Sequence, residues 1–341
     1  MKFFLFACCL LAANFSAAQS LRIIFTGDIM LDDTPGQVIA QGRDPFTHVA
    51  EILKDADYRI GNLECPIATV GAPMESKIYS FRAHPRVLPF LEQHIDAVSV
   101  ANNHTGDYGK AAFMETLEQL DSKGILHFGG GANASSAHKP LWINRNGIKI
   151  AVLGYNEFKP RSFEAGAMSP GSAWSEDSHV VSDIRAARRA GADVIIPFMH
   201  WGWERETTPS ERQTKLAKKM IDAGADIVVG SHPHVVQGAE IYKGKPIIYS
   251  LGNFVFDSFT TPVTTLGWIL HLTLDKKGVA AWHTRAVQMD PEGLPYLIGG
   301  AITPCAARGD KIVPTCSNPL IQGNSPVGAD DTPSALMNVS R

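Results

Sequence analysis

The side chains able to do chemistry in this chain gather at the ends of apolar runs. His200 follows the run 194–199, and His232 and His234 follow 226–230. Both runs are rich enough in β-branched residues to read as buried strands. Three further runs end alike: 21–25 leads to Asp28, 58–60 to Glu64, and 96–100 to Asn103 and His104. In open α/β sheets, ligands bind outside the carboxyl ends of the strands. Imidazole, carboxylate and amide oxygen without thiolate is a donor set for Zn²⁺, Mn²⁺ or Fe rather than for a structural cysteine-type zinc. The candidate ligands Asp28, Glu64, Asn103, His200, His232 and His234 outnumber the three protein ligands a single catalytic ion usually takes. The expectation is therefore one or two divalent ions, about 3.5–4 Å apart if two, and the chemistry is metal-assisted hydrolysis.

Taken singly, these features are weak. Asp28 after Gly27 reads equally well as a turn or cap residue, and Glu64 as a solvated loop carboxylate. The sharpest signal is His232-Pro233-His234. Extended residues at i and i+2 project to the same side, and the proline restricts the backbone, so the two imidazoles can serve two neighbouring cations. Asn103 offers an amide oxygen to a metal, leaving the adjacent His104 to face a substrate. In the aromatic and polar cluster around His200, the residues Trp201, Glu204 and Arg205 are candidate substrate contacts. Arg205 and Lys159 are candidates for holding substrate carboxylates, against the plainer reading of solvated surface cations. His48, His84, His94, His127, His138, His179, His271 and His283 lack such settings and read as surface or core residues. The triplet Gly129, Gly130, Gly131 is not followed by Lys-Ser/Thr, so it is no phosphate-binding loop.

Positioning these residues requires alternating strands and helices. Helical patterns cover 46–54, 85–94, 110–123, 182–190 and 210–223, with Gly124, Gly191 and Gly224 closing three of them. Asn146-Gly147, Lys243-Gly244 and the turn at 276–278 each centre a pair of strand-like runs, a hairpin signature. Strand–helix alternation with hairpins gives an α/β (α+β) chain in which two mixed sheets pack face to face with helices outside. From 291 the composition turns to Gly, Pro, Ser and Asn, which reads as a C-terminal extension, 291–341, poorly ordered or draped over the surface.

Residues 1–18 read as a secretory signal peptide: Lys2, an apolar stretch over 3–13, and Ser16, Ala17 and Ala18 before the cleavage point. The stretch is too short to span a bilayer. A lipoprotein reading on Cys8 or Cys9 fits less well, because Phe6 stands where a small residue is needed. Export to the periplasm or the extracellular space is thus expected. Three cysteines then remain; Cys305 and Cys316 are expected to form a disulfide, and Cys65 a buried apolar residue. The formal charge of −3 moves to −4 on loss of Lys2, with no basic footprint for nucleic acid. The rest, 19–290, is long enough for one large domain.

The motifs together resemble a known family. Gly27 to Leu31, Asn62-Leu63-Glu64, Ala101 to Gly109, His200 to Glu204, Gly230 to Gln237 and Tyr249 to Asp257 are similar to those of the bacterial capsule synthesis protein CapA. That family is also called the poly-γ-glutamate synthesis protein and has a metallophosphoesterase-like (calcineurin-like) fold. The resemblance implies a four-layer αββα sandwich. It implies Asp28 as the first-strand metal ligand, Glu64 as the carboxylate bridging two metals, and Asn103 as the amide ligand. His200, His232 and His234 take the imidazole positions, and His104 works on substrate with Asp107 as its orienting partner. Two departures stand out. Met30 occupies the place of a histidine in phosphoesterases, and Glu64 that of a shorter Asp, so the first metal position is expected to be weak or empty. The implied function is an exported metal-dependent hydrolase acting on an anionic, peptide-like polymer such as poly-γ-glutamate. The alternatives are a metal-dependent phosphoesterase, and a non-catalytic factor that binds polymer for assembly or export alongside a membrane-bound synthase.

Overall fold

The computed structural model describes residues 20–317 apart from 76, 260, 300 and 301. The expected signal peptide, 1–18, and the last residues, 318–341, lie outside the described residues. The first half of the chain builds one sheet and its helices: β1 (Leu21–Ile29), α1 (Asp33–Ala40), α2 (Ala50–Lys54), β2 (Tyr58–Leu63), α3 (Leu88–His94), β3 (Ala97–Ser99), α4 (Gly109–Ser122) and β4 (Leu126–Phe128). Short β5 (Gly130–Gly131) and α5 (Ala134–Ala137) lead into the second sheet. Its elements are β6 (Leu141–Arg145), β7 (Ile148–Asn156), α6 (Asp177–Arg189), β9 (Val194–His200), α7 (Glu211–Ala223), β10 (Val228–Ser231), β11 (Ala239–Tyr242) and β12 (Lys245–Ile248), while the short β8 (Gly171–Ser172) pairs with β5 in a two-stranded ribbon of its own. The chain then returns to the first sheet through β13 (Asn253–Val255), β14 (Leu266–Asp275), β15 (Gly278–Met289), β16 (Pro295–Leu297), β17 (Ile302–Ala307) and β18 (Thr315–Ser317).

The first sheet runs β18-β17-β15-β14-β1-β2-β3-β4, with β13 paired to β1 and β16 to β15; the second runs β11-β12-β10-β9-β7-β6. Strands β1 to β4 are mutually parallel, as are β7, β9, β10 and β12, while the hairpins add antiparallel neighbours. The period-2 alternation of each strand sorts its side chains into layers. Leu21, Ile23 and Phe25 meet Ile150, Val152, Ile196, Phe198 and Val229 in the core between the sheets. Ile24, Ile29 and Val98 face α1 to α4, and Ile195, Met199 and Val228 face α5 to α7. The architecture is the four-layer αββα sandwich read from the sequence.

The three hairpins form where expected, and two of them turn on a residue pair of positive φ, Asn146-Gly147 (52° and 68°) and Lys243-Gly244 (51° and 75°), the backbone an I′ turn requires. Ser210 and Gln213 close a capping box at the start of α7. The helix expected over 46–54 is shorter, because Asp44 Oδ1 accepts from the Phe46 amide at 2.9 Å and holds 45–49 in turns. Residues after 291 do not drape over the surface up to 317: β16, β17 and β18 extend the first sheet, and Cys305 in β17 is disulfide-bonded. The ladder places the backbone of its expected partner Cys316 opposite Thr303, and the Cys316 side chain lies outside the described residues. Cys65 is free and buried, its thiol pushed up by burial. No helix among the described residues is long and apolar enough to cross a membrane.

Candidate metal centre

The carboxyl ends of β1, β2, β3, β9 and β10 converge between the two sheets. Asp28 is the penultimate residue of β1, Glu64 directly follows β2, and Asn103 and His104 lie in the loop after β3. His200 ends β9, and His232 and His234 follow β10. All seven are buried. Five of them fall into two groups, Glu64 with His200 and His232, and Asp28 with Glu64 and His234, whose ligand atoms within each group lie within 4.8 Å of one another. Glu64 belongs to both.

In the first group, His200 Nε2 is 2.6 Å from Asn103 Oδ1, 3.0 Å from His232 Nδ1 and 3.6 Å from Glu64 Oε1. In the second, His234 Nδ1 is 3.4 Å from Asp28 Oδ2 and its Nε2 is 3.6 Å from Glu64 Oε1. Asn253 Oδ1, in β13, fixes the His234 ring at 2.8 Å from Nδ1. Glu64 Oε1 and His232 Nε2 are buried with no hydrogen-bond partner among the described residues. Buried polar atoms are rarely left so, and here they sit where the lone pairs of neighbouring ligand-type atoms converge. Burial, followed by the neighbouring Asp28, pushes the Glu64 carboxyl well above its usual range, and burial also raises Asp28. Burial and the adjacent imidazoles hold His200 and His232 well below the ordinary histidine range, and burial lowers His234. Every one of these shifts disfavours the charged form of its group. A divalent cation reverses that penalty, because it takes carboxylates as anions and imidazoles as neutral rings. The clusters are thus compatible with divalent metal binding.

The backbone carries strain at the ligands. His232 and His234 have φ of 97° and 56°, left-handed values costly for residues with a Cβ. The extended His-Pro-His geometry expected from the sequence is therefore not what holds the rings; a strained turn aims one at each group. Gly27 explains how Asp28 gets there, since a Cβ on Gly27 would stand 1.9 Å from the Gly252 carbonyl oxygen. Only glycine lets β13 and its Asn253 come this close to β1.

His104 lies beside the groups. Its Nδ1 donates to Asp107 Oδ2 at 2.7 Å, which leaves Nε2 as the nitrogen available to a cleft that His104 lines. Lys77 pairs with Asp107, donates to the Asn103 carbonyl at 2.8 Å and approaches His104 Nδ1 at 3.2 Å. Sequence reasoning missed Lys77, which sits in a loop with no periodic pattern. It missed Asn62 too, whose Nδ2 donates to Asp28 Oδ1 at 2.8 Å and approaches Glu64 Oε2 at 3.4 Å. Asn62 stands two residues before Glu64, and the period-2 alternation of β2, which puts both on one face, is the signal that could have found it.

The substrate candidates divide. Glu204 and Arg205 are exposed and line the cleft with His104 and His234. Trp201 does not: it is fully buried in the outer core, its Nε1 donating to the Tyr249 carbonyl at 2.9 Å. The alternation of β9 continues through it and turns its ring away from the site. Trp203, 65% exposed, is the tryptophan at the mouth. Met30 is likewise turned away, buried in the outer core with its sulfur accepting from the Asp32 amide at 3.1 Å, so the Asp28 group lacks a fourth side chain there.

Residues 22–258 match the family model described as bacterial capsule synthesis protein PGA_cap. The chain belongs to the bacterial capsule synthesis protein family. It is similar to the capsule biosynthesis protein CapA of Bacillus anthracis, 34% identical over 252 residues covering 70% of this chain and 60% of that protein. The PGA biosynthesis protein CapA of Bacillus subtilis (strain 168) is 35% identical over 244 residues, covering 70% and 63%. A probable polyglutamine synthesis accessory protein of Mycobacterium tuberculosis is 31% identical over 231 residues, covering 62% and 60%. The match thus spans about three fifths of the length of these relatives. Among solved structures, the NAD nucleotidase of Haemophilus influenzae superposes with a TM-score of 0.45 at 14% identity, covering 83% of this chain and 54% of that one. A 5′-nucleotidase of Candida albicans does so with 0.45 at 10%, covering 80% and 52%. Nothing about substrate follows from likenesses of that size.

Proposed function

We propose that this family member is an exported, metal-dependent hydrolase of an anionic, peptide-like polymer of the poly-γ-glutamate class. The single observation that supports it most is Glu64, a buried carboxylate shared by two ligand groups with one oxygen unpartnered. Glu64, Asn103, His200 and His232 would hold one divalent ion, and Asp28, Glu64 and His234 a second, more weakly held one. Such an ion supplies Lewis-acid polarisation of a carbonyl and acidifies water near neutral pH.

The chain's own residues then supply orientation and proton transfer. Asn62 and Asn253 hold Asp28 and His234 in place. Asp107 fixes the His104 ring through Nδ1 so that Nε2 faces the cleft. Burial lowers the His104 pKa, so an imidazolium formed there gives its Nε2 proton readily to a leaving amine, the behaviour of a general acid. Phe81, Phe256 and Phe259 line the approach and keep water out. The signal peptide read from residues 1–18 supports action outside the cytoplasm, where the polymer and a membrane-bound synthase would be its partners.

The test is direct. Purified mature protein reconstituted with Mn²⁺ or Zn²⁺ is incubated with γ-linked glutamate oligomers and, in parallel, with chromogenic phosphate esters. Release of shorter oligomers that disappears in Glu64→Gln supports the proposal. Turnover of the esters alone would make the chain a phosphoesterase, and turnover of neither would leave a polymer-binding assembly role.

A further inference from the structure

A second cleft, of about 180 Å³, is bordered by Glu157, Phe158, Lys159, Trp203 and Arg212, all outside the two ligand groups. Its apolar corner is Phe158 and Trp203, whose rings meet edge to face at 6.0 Å and 84°. Phe158 is seated on the His232 ring at 3.9 Å, so it has a buried side chain behind it. The turn that carries Trp203, residues 202–205, is pinned where the Arg205 amide, at φ 66°, donates to the Pro233 carbonyl at 2.8 Å. Trp203 is thus supported on one side and still 65% exposed. A large apolar ring held open beside a concavity is a platform on which a ligand with an apolar face can stack.

The polar side of the cleft is built from paired charges. Arg212 Nε donates to Glu157 Oε1 at 2.9 Å, its Nη2 donates to Glu157 Oε2 at 3.1 Å, and its Nη1 pairs with Asp177. Ser175 Oγ donates to Glu157 Oε2 at 2.6 Å, which fixes the carboxylate further. Arg212 therefore has little charge left to offer an anion, and Glu157 beside it repels one. Hydrogen-bonding capacity remains. Among the described residues, Glu157 Oε1 accepts from Arg212 alone and keeps a lone pair, and Lys159, exposed at the rim, brings three N–H donors.

We propose that this cleft binds a pyranose ring of a glycan, with the C–H face of the sugar on Trp203 and its hydroxyls on Glu157, Arg212 and Lys159. A pyranose carries both surfaces the cleft offers: an apolar face of C–H bonds, and a rim of hydroxyls that each donate and accept. A carboxylate next to a guanidinium suits that rim, because one hydroxyl can give a proton to the first and take one from the second. The site takes a ligand class different from the substrate of the metal centre, and it stands whether or not the chain hydrolyses anything.

Binding in the absence of metal tests it. Trimers of N-acetylglucosamine, of glucose and of galacturonate are titrated into the full mature protein in EDTA, followed by heat and by tryptophan fluorescence. Adenosine and a γ-linked glutamate trimer are the non-sugar controls. At least one sugar trimer is expected to bind with a Kd of about 1 mM or tighter. Trp203→Leu should weaken it about tenfold and remove the fluorescence change, and Trp203→Phe should retain part of the affinity. Lys159→Gln should weaken it about twofold to tenfold, the loss of one or two hydrogen bonds. Melting temperatures should not move, since both side chains are exposed. Adding Mn²⁺ should leave the affinity unchanged. Failure of all three sugars to bind, binding insensitive to Trp203→Leu, affinity that depends on Mn²⁺, or tighter binding of adenosine or the glutamate trimer through Trp203 would each overturn the proposal.

Discussion

Glu64→Gln separates a ligand from a structural residue. The Glu64 carboxylate is fully buried, Oε1 is unpartnered among the described residues, and Asp28 lies beside it. Without an ion, this arrangement costs stability, because a buried acceptor left unsatisfied costs about 1–3 kcal/mol. Glutamine keeps the shape and removes the charge. In EDTA the variant should therefore be the more stable protein, melting about 2–12 °C higher at roughly 2–4 °C per kcal/mol. With metal the order reverses. An ion at a hundred times its Kd stabilises the wild type by about 2.7 kcal/mol, a rise of about 5–11 °C, and the variant, missing the ligand common to both groups, should gain almost none of it. Thermal melts of both proteins in EDTA and in excess Mn²⁺ or Zn²⁺ measure this. A variant that melts below wild type in EDTA, or responds equally to metal, would refute the reasoning.

Three further outcomes follow from the same geometry. Asn62→Leu removes the donor to Asp28 and should lower metal affinity about 10–100-fold without preventing folding, as read by metal titration with circular dichroism as control. Gly27→Ala forces the Gly252 carbonyl away from β1 and should lower both melting temperature and metal affinity, where a change in neither would remove the close-approach argument. Burial, then His283 and Arg285, push the His271 pKa to about 3, its ring stacked on His283 at 4.6 Å. The unfolded chain takes up the proton near pH 6.5 and the folded one does not, so stability present at neutral pH is lost as pH falls from 6.5 toward 3, by about 2 kcal/mol at pH 5. Urea unfolding of His271→Leu should show a correspondingly smaller loss between pH 7 and pH 5, and an unchanged loss would contradict the assignment.

Much of this was legible in the sequence because strand ends and hairpins have local causes. The runs before Asp28, Glu64, Asn103, His200 and His232 are strands because β-branched residues recur on both faces of buried parallel sheets. The layers follow from the alternation visible in 21–25 and 194–199. What escaped depends on packing between distant segments. Nothing local distinguishes Trp201 from Trp203; the continuation of β9 past His200 buries one ring and leaves the other outside. The His232 and His234 backbone left the extended region because the turn must serve two groups, an outcome Pro233 alone does not encode. Asn62 and Lys77 act through residues 34 and 30 positions away in sequence, Asp28 and Asp107. The glycine- and proline-rich stretch after 291 became strands because β15 offers it an edge to pair with, something composition does not register.

The central claim is that Glu64 joins two ligand groups around divalent metal. Elemental analysis of wild type and Glu64→Gln, each dialysed against the same Mn²⁺ or Zn²⁺ concentration, tests it most directly. The wild type should retain at least one ion per chain, the tighter one with His200, His232 and Asn103, and a second at higher concentration with Asp28 and His234. Glu64→Gln should retain neither. Wild-type protein that holds no ion under these conditions, or a variant that holds as many, would contradict the account.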